Sequence, residues 1–277
     1  MCCAVWPENP DKLRPSVKGS TEIVRGDVLS PPSLDAALQG VQTAYYLVHL
    51  MSGSSDFEEE DRQAATNFAA AAQRAAVRRI IYLGGLGDDG DPKLSPHLRS
   101  RHEVGEILRN SGVETIEFRA GMVVGARSLS FQLMKSLTDR LPVMICPRWL
   151  TTPTQPIAIQ DVLAYLLAAK DLPPGESRIF EIGSPDVVTY SDLIREYARQ
   201  RGLRRWLIFV PVLTPYLSGL WLALVTPATY EVGRHLIEGL KNPTVVRNSQ
   251  ALHTFPIRPV GAAEAIRLAI KESESSK

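Results

Sequence analysis

The stretch RIIYLGGLGDDGDPKLSPHLRSRHEVGEILRNSGVETIEFRAGMVVG, Arg79–Gly125, decides the fold. Ile80–Leu83 is a short run of bulky and β-branched residues, which suits a buried strand. Gly84 and Gly85 then let the backbone turn and come close to another group. Ser95 followed by Pro96 has the chemistry of an N-cap and a first helical residue, so a helix starts there. His97, Arg101, Val104 and Leu108 fall on one face of that helix, and Gly112 stops it. Thr115–Val124 reads as the next strand. The whole is one βαβ crossover with small and charged residues at the C-terminal ends of its strands. Open parallel sheets bind ligands at that edge.

Upstream, the same alternation continues. Cys2–Trp6 reads as the end of an apolar strand, Leu13 to Gly19 as loop or short helix, and Thr21–Arg25 as a second strand ending at Gly26-Asp27. Ser30 or Ser33 can cap a helix through Leu38, with Gly40 as its stop. Thr43–Leu50 (TAYYLVHL) is nearly all apolar, which suggests a strand buried on both faces. The next helix opens on the acidic run Glu58–Asp61, matched to the helix dipole, and turns alanine-rich from Ala64 to Ala76. Strands and helices joined by short connections mean an α/β fold with a parallel sheet.

Downstream, Phe131–Leu141 reads as a helix and Pro142 to Pro156 as a loop rich in proline and threonine. Ile159–Lys170 is an amphipathic helix and Ile179–Ile182 a short strand. Thr189 with Asp192 resembles a capping box. Beyond it lie Trp206–Val212, short helices opened by Thr214-Pro215 and Thr226-Pro227, and a solvated tail, Lys271–Lys277. This divides the chain into a Rossmann-like domain, residues 1–184, and a small, mainly helical domain, residues 185–277, to which residues 128–155 contribute.

Composition narrows the function. The 277 residues are 44% hydrophobic and 22% charged, as in an ordinary soluble globular protein. A formal charge of +1 gives no support for a nucleic-acid partner. Cys2, Cys3 and Cys146 have neither metal-ligand spacing nor an even-numbered disulfide framework, so no metal site is expected and a reducing, cytoplasmic setting is. The N-terminus has no signal-peptide pattern. Trp206–Tyr230 is apolar and raises a membrane question, but Pro211, Pro215 and Pro227 divide it into pieces shorter than the roughly 20 residues a spanning helix needs. A buried domain with an apolar pocket is favoured over docking at a membrane surface.

With its elements placed, the sequence resembles the extended and atypical branch of the short-chain dehydrogenase/reductase superfamily, the NmrA-like and YbjT-like NAD(P)-binding proteins. The carriers are NPDKL (Asn9–Leu13), VRGDVLSPPSLDAALQGV (Val24–Val41), AYYLVH (Ala44–His49), RRIIYLGGLG (Arg78–Gly87), LSPHLRSRHEVGEILRNSGV (Leu94–Val113), FRAGMVVG (Phe118–Gly125), QPIAIQDV (Gln155–Val162) and FEIGSPDVVTY (Phe180–Tyr190). The resemblance implies a Rossmann-like sheet with helices on both faces and NAD or NADP as cofactor. It implies that Asp27 and Val28 flank adenine and that Leu47, Val48 and His49 line the adenosine and pyrophosphate side. Gly84 and Gly85 would lie beside the nicotinamide ribose, Arg101 would replace the lysine that donates to its hydroxyls, and Arg119, Ala120, Gly121, Met122 and Val123 would line the nicotinamide end. Asp27 at a strand end could instead cap the following loop, the less favoured of the two readings.

Two departures from the family pattern bear on chemistry. The catalytic tyrosine of YxxxK is His97 here, the lysine is Arg101, and the serine of the preceding strand is Gly84 or Gly85. Arg101 is permanently cationic and cannot exchange its own proton, so the usual alcohol–ketone relay is absent. His97 can act as a general acid near neutral pH, and Ser95, Ser100 and His102 are also within reach. The glycine-rich pyrophosphate loop and its strand are also missing, so the first βα unit of the family fold is absent from this reading. Met1 is accordingly expected to be an internal methionine or a misassigned start, with dinucleotide binding weakened if it is the true one. The preference between NAD and NADP stays open. The implied activity is that of an oxidoreductase or isomerase on an apolar small molecule such as a quinone or isoprenoid. The alternative is a non-catalytic dinucleotide sensor or scaffold.

Overall fold

The computed structural model describes residues 21–24, 26–50, 57–210 and 240–275. In chain order the first elements are α1 (Pro31–Leu38), β1 (Thr43–Tyr46), α2 (Phe57–Arg74), β2 (Arg79–Gly85), α3 (Pro96–Arg109) and β3 (Glu114–Ala120). Next come β4 (Val123–Val124), α4 (Leu129–Arg140), β5 (Val143–Pro147), a 3-10 turn (Arg148–Thr151), β6 (Pro153–Thr154), β7 (Ile157–Ala158), α5 (Ile159–Ala169) and β8 (Arg178–Ile182). The last are β9 (Val188–Thr189), α6 (Tyr190–Gln200), β10 (Trp206–Val210), α7 (Gln250–Thr254) and α8 (Ala262–Ser275). The main sheet runs in the order β1-β2-β3-β8. β1 and β2 pair in parallel, from Thr43 opposite Arg79 to Tyr46 opposite Tyr82. The architecture is the expected α/β arrangement, a parallel sheet flanked by helices.

The central crossover forms for the local reasons its sequence suggests. The Ser95 hydroxyl oxygen accepts the Leu98 N–H at 3.3 Å, capping α3 ahead of Pro96. Gly112 takes φ +80°, a left-handed conformation that suits glycine, in the turn leading to β3. Thr189 and Asp192 make a reciprocal capping box at the start of α6.

Contacts group the chain into two units. The first comprises residues 1–84, 100–117 and 169–179. Its core packs Leu34, Tyr46, Phe68, Ile80, Tyr82, Val104 and Leu108 together. Ala64, Ala65, Ala71 and Ala72 are also buried, and such small side chains let α2 pack closely against its neighbours. Arg79, buried, pairs with Glu114 at 2.8 Å and donates to the carbonyls of Ala169 (2.8 Å) and Pro173 (3.1 Å), so the end of α5 has its carbonyl satisfied. The second unit comprises residues 85–99, 118–168 and 180–277. It stacks the rings of Phe118 and Phe180 (5.8 Å) and sets Phe255 edge-on to Phe180 (5.1 Å) and to Tyr165 (5.5 Å). A second cluster in that unit joins Phe131, Met134, Met144, Leu193, Ile194, Tyr197 and Ile266.

Several expectations need correction. Of the strand expected over Thr21–Arg25, residues 21–24 are not in strand and Arg25 lies outside the described residues. The strand expected over residues 43–50 ends at Tyr46, and only one of its faces is buried. Ala44 and Tyr46 point inward while Tyr45 and Leu47 are exposed. The expected loop at residues 142–156 holds β5 and β6, and β5 is a strand because it pairs in parallel with β10. The tail from Lys271 is largely exposed as expected, and it is also helical as far as Ser275 because it continues α8. The strand expected at residues 2–6, the segment 13–19, and the helices expected after Thr214 and Thr226 lie outside the described residues.

Candidate functional site

In the first unit the expected residues cluster where β1 and β2 end. The chain leaves β1 at Tyr46, and residues 47–50 run free of strand pairing. Arg101, in the second turn of α3, reaches this point. Its guanidinium donates to the Leu83 carbonyl at 2.5 Å and to the Val48 carbonyl at 3.4 Å, joining the ends of neighbouring strands. It lies 5.4 Å from the centre of the Tyr82 ring, whose hydroxyl donates to the Arg101 carbonyl at 2.9 Å. Gly84, buried, follows Leu83 directly. Only a planar fork can satisfy two carbonyls this way from two nitrogens.

Beside that clamp is a buried carboxylate the sequence reading missed. Asp61, on α2, is 2% exposed. One of its oxygens accepts the Leu50 N–H at 3.0 Å. The other accepts the Ser100 hydroxyl at 2.8 Å and stands 3.5 Å from His49 Nδ1. Burial pushes the Asp61 carboxyl up, but the bonds from His49, Leu50 and Ser100 outweigh it and hold it below its ordinary value. Burial also pushes the His49 imidazole down, against the pull of Asp61 and with the help of the Arg101 charge. Asp61 was read as one of the dipole-matching acids of residues 58–61. The usable signal was its spacing, for Asp61, Ala64, Ala65 and Phe68 share the buried face. Tyr46 lies against Phe68, with ring centres 4.8 Å apart, and its buried hydroxyl has no hydrogen-bond partner among the described residues.

Asp27 and Val28 open the loop before α1. One Asp27 carboxylate oxygen accepts the Leu29 N–H at 2.8 Å, and the backbone carbonyl of Asp27 accepts the Ser33 hydroxyl at 3.0 Å, so the residue does organise its own turn. Val28 is buried, and its carbonyl accepts from the Asn67 amide at 3.0 Å.

The second unit holds the other expected residues. Arg119 is buried and pairs with Asp89 at 2.7 Å. The Ala120 carbonyl accepts the Leu86 N–H at 2.8 Å, and the Met122 carbonyl accepts the Ile157 N–H at 2.9 Å. A Cβ at Gly121 would come within 3.1 Å of the Thr244 hydroxyl and 3.2 Å of the Gln155 carbonyl, so packing itself asks for glycine there. Val123 pairs with Ile157. Gly85 ends β2, and His97, half-buried, is in the first turn of α3. The connection between Leu86 and Ser95 is held from far along the chain. Asn242 accepts the Ser95 N–H at 3.0 Å and donates to Asp91 and to the Lys93 carbonyl, both at 3.1 Å. Arg247 pairs with Asp88 at 2.6 Å and holds its carboxyl below the usual range. No local signal marks Asn242 or Arg247, because their partners are about 150 residues away.

An NAD(P)H-binding family model matches residues 7–137. That match marks a likeness to NAD(P)H-binding proteins over the first part of the chain. Among curated proteins none matches it. Solved structures share its fold at low identity. Triphenylmethane reductase from Citrobacter sp., complexed with NADP(H), is 14% identical with a TM-score of 0.73, covering 95% of this chain and 89% of that one. An NADPH-dependent quinone oxidoreductase from Escherichia coli, complexed with NADPH, is 16% identical with a TM-score of 0.71, covering 95% and 88%. MoeE5, in complex with UDP-glucose and NAD, is 16% identical with a TM-score of 0.70, covering 96% and 94%.

The first-unit edge combines apolar surface, a glycine and a fixed positive charge. Leu29 and Leu47 leave exposed apolar surface, Leu29 directly beside the Asp27 carboxylate. Gly84 adds no side chain above the end of β2, and Arg101 brings a fixed positive charge. Among the described residues no helix is long and apolar enough to cross a membrane.

Proposed function

We propose that the protein is an NAD(P)H-dependent reductase of an apolar, conjugated acceptor of the quinone class. The observation that carries this reading is the pair His97 and Arg101, standing where the family has tyrosine and lysine, with Arg101 committed to the Leu83 and Val48 carbonyls. Reduction of a ketone produces an alkoxide and needs a strong proton donor at that oxygen. Reduction of a quinone produces a phenolate, which is about as basic as ionised tyrosine, near 10, and takes its proton from water or an imidazole. The relatives whose names specify a dye reductase and a quinone oxidoreductase share this fold and support the same class.

In this reading Asp27, Val28, Leu47, Val48 and His49 hold the adenosine and pyrophosphate side. Gly84, Gly85 and Arg101 hold the nicotinamide ribose, and Arg119, Ala120, Gly121, Met122 and Val123 line the nicotinamide end. When bound, the reduced nicotinamide supplies a hydride. Arg101 keeps the two strand ends fixed, so the acceptor meets a rigid edge. His97, or a water, returns one proton to the acceptor oxygen, completing a two-electron, two-proton reduction. Residues 185–277, with 128–155, form the acceptor side.

The test is turnover of NADH and NADPH by the purified protein with short-chain quinones, a triphenylmethane dye, and simple ketones and aldehydes. Quinone- or dye-dependent oxidation with inert ketones supports the proposal. Equal rates with ketones would refute the argument from the missing tyrosine. Tight dinucleotide binding with no turnover on any acceptor would leave a sensor.

A further inference from the structure

Strands β5 and β10 form a two-stranded parallel sheet within the second unit, with Trp206 opposite Val143 and Ile208 opposite Ile145. Strand alternation sends Met144, Cys146 and Leu207 into the core of that unit. Val143, Ile145, Trp206 and Ile208 face the other way, and they are 43%, 48%, 71% and 53% exposed. The early part of the apolar run after Arg205 is therefore displayed, against the expectation of a buried pocket. Parallel strands are normally covered on both faces, and a contiguous exposed apolar patch marks a contact surface.

Around the patch arginines outnumber acids, although Asp139 and Glu196 border these segments. Residues 140–160 and 197–210 contain Arg140, Arg148, Arg199, Arg201, Arg204 and Arg205, and no Asp or Glu. Because the strands are parallel, Arg140, Arg204 and Arg205 gather at their common starting end, and Arg148 follows the end of β5. Arg199 and Arg201 are partly neutralised by Glu196 and Glu274, and Arg205 donates to the Thr138 and Asp139 carbonyls. Arg148 and Arg204 are exposed. A second copy seated on this face would bring the same excess of arginines against the first. An anionic lipid surface offers phosphates to the arginines and an apolar boundary to the tryptophan and isoleucines.

We propose that the outer face of β5 and β10 docks on an anionic lipid bilayer, with Trp206, Ile208, Ile145 and Val143 entering the headgroup boundary. The inference is independent of the proposed reaction.

The test uses the full chain with vesicles of phosphatidylcholine, alone or mixed with phosphatidylserine. Co-sedimentation is expected with the anionic vesicles and is expected to weaken as salt rises. The double substitution W206S/I208S is expected to weaken partitioning about ten-fold or more by withdrawing two apolar side chains from the boundary. Its melting temperature and dinucleotide affinity should stay those of the parent. W206F should keep partitioning but lose part of the fluorescence quenching by brominated lipid. Failure to bind anionic vesicles, equal binding to phosphatidylcholine alone, or unchanged binding of W206S/I208S would each overturn the proposal. So would a concentration-dependent dimer that W206S/I208S abolishes, since the face would then belong to a second copy.

Discussion

Replacing Asp61 with alanine should destabilise the first unit far more than a typical helix substitution does. The carboxylate is the acceptor for the Leu50 N–H and the Ser100 hydroxyl, and Ser100 is itself buried. Alanine leaves two donors without their acceptor in a site with little room for water. Each such group costs about 1–3 kcal/mol, and Ser100 can recover part by turning toward its own helix, so the loss is about 2–4 kcal/mol. At about 2–4 °C per kcal/mol for a chain of this size, the melting temperature should fall by roughly 5–15 °C. Asp61→Asn keeps an acceptor for Leu50 and should cost much less. Thermal unfolding at neutral pH, followed by circular dichroism, measures both. The pH dependence supplies a second reading. Asp61 has a depressed folded value, so its contribution is present above the ordinary aspartate range and lost as pH falls through the lower folded value. His49 is also depressed, mainly by burial, so its contribution is present above about 6.5 and lost as pH falls below it. Asp61 opposes that depression, so Asp61→Asn should make the loss of stability between neutral pH and about 5.5 steeper. An Asp61→Ala protein that melts within about 1 °C of the parent would refute the reasoning.

Other outcomes follow from the same contacts. Arg101→Ala should weaken dinucleotide binding about ten-fold or more, the equivalent of one charge-assisted hydrogen bond of about 1.5–3 kcal/mol. Calorimetry on a folded variant with unchanged affinity would reduce Arg101 to a structural clamp. Gly105→Ala puts a methyl group against the buried Glu117 carboxylate, which pairs with Arg109, and should cost about 1–3 kcal/mol in a urea melt. Burial pushes the Cys146 thiol up to about 11, so it should resist iodoacetamide at pH 8 until the protein unfolds, as peptide mass spectrometry would record.

What the sequence made legible is what local chemistry determines. Ser95-Pro96, Gly112 and the Thr189–Asp192 pair act within a turn or two, and each stands where its residue type requires. The outer face of β1 was not legible in TAYYLVHL, because an apolar run looks the same whether one face of a strand is covered or both. β5 was hidden among prolines and threonines, since the strand that makes it one is β10, about 60 residues later. The candidate site divides in the same way. Arg101 was visible as a substitution in a known pattern. Its real partners, two backbone carbonyls, carry no sequence signal at all. Asp61 lay in plain view as a charge on an apolar helix face and was read as a dipole-matching acid because its neighbours Glu58–Glu60 are.

The departures at positions 97 and 101 are best understood as one change. A lysine in this family has an ammonium whose donors diverge from a single nitrogen, and it works with a tyrosine by exchanging a proton. An arginine in its place cannot exchange one, so a tyrosine four residues earlier would lose its proton-exchange partner in the relay. What arginine can do is bridge two acceptors from two nitrogens. Here the acceptors are the Leu83 and Val48 carbonyls, at the point where β1 and β2 leave the sheet and their oxygens need donors. On the proposed reading the guanidinium therefore strengthens the cofactor edge at the expense of the relay that ketone chemistry requires. On that reading, a chain that makes this exchange keeps a rigid, positively charged cofactor edge. It has lost only the capacity to protonate a strong base, and an acceptor whose reduced form is a weak base does not call on that capacity.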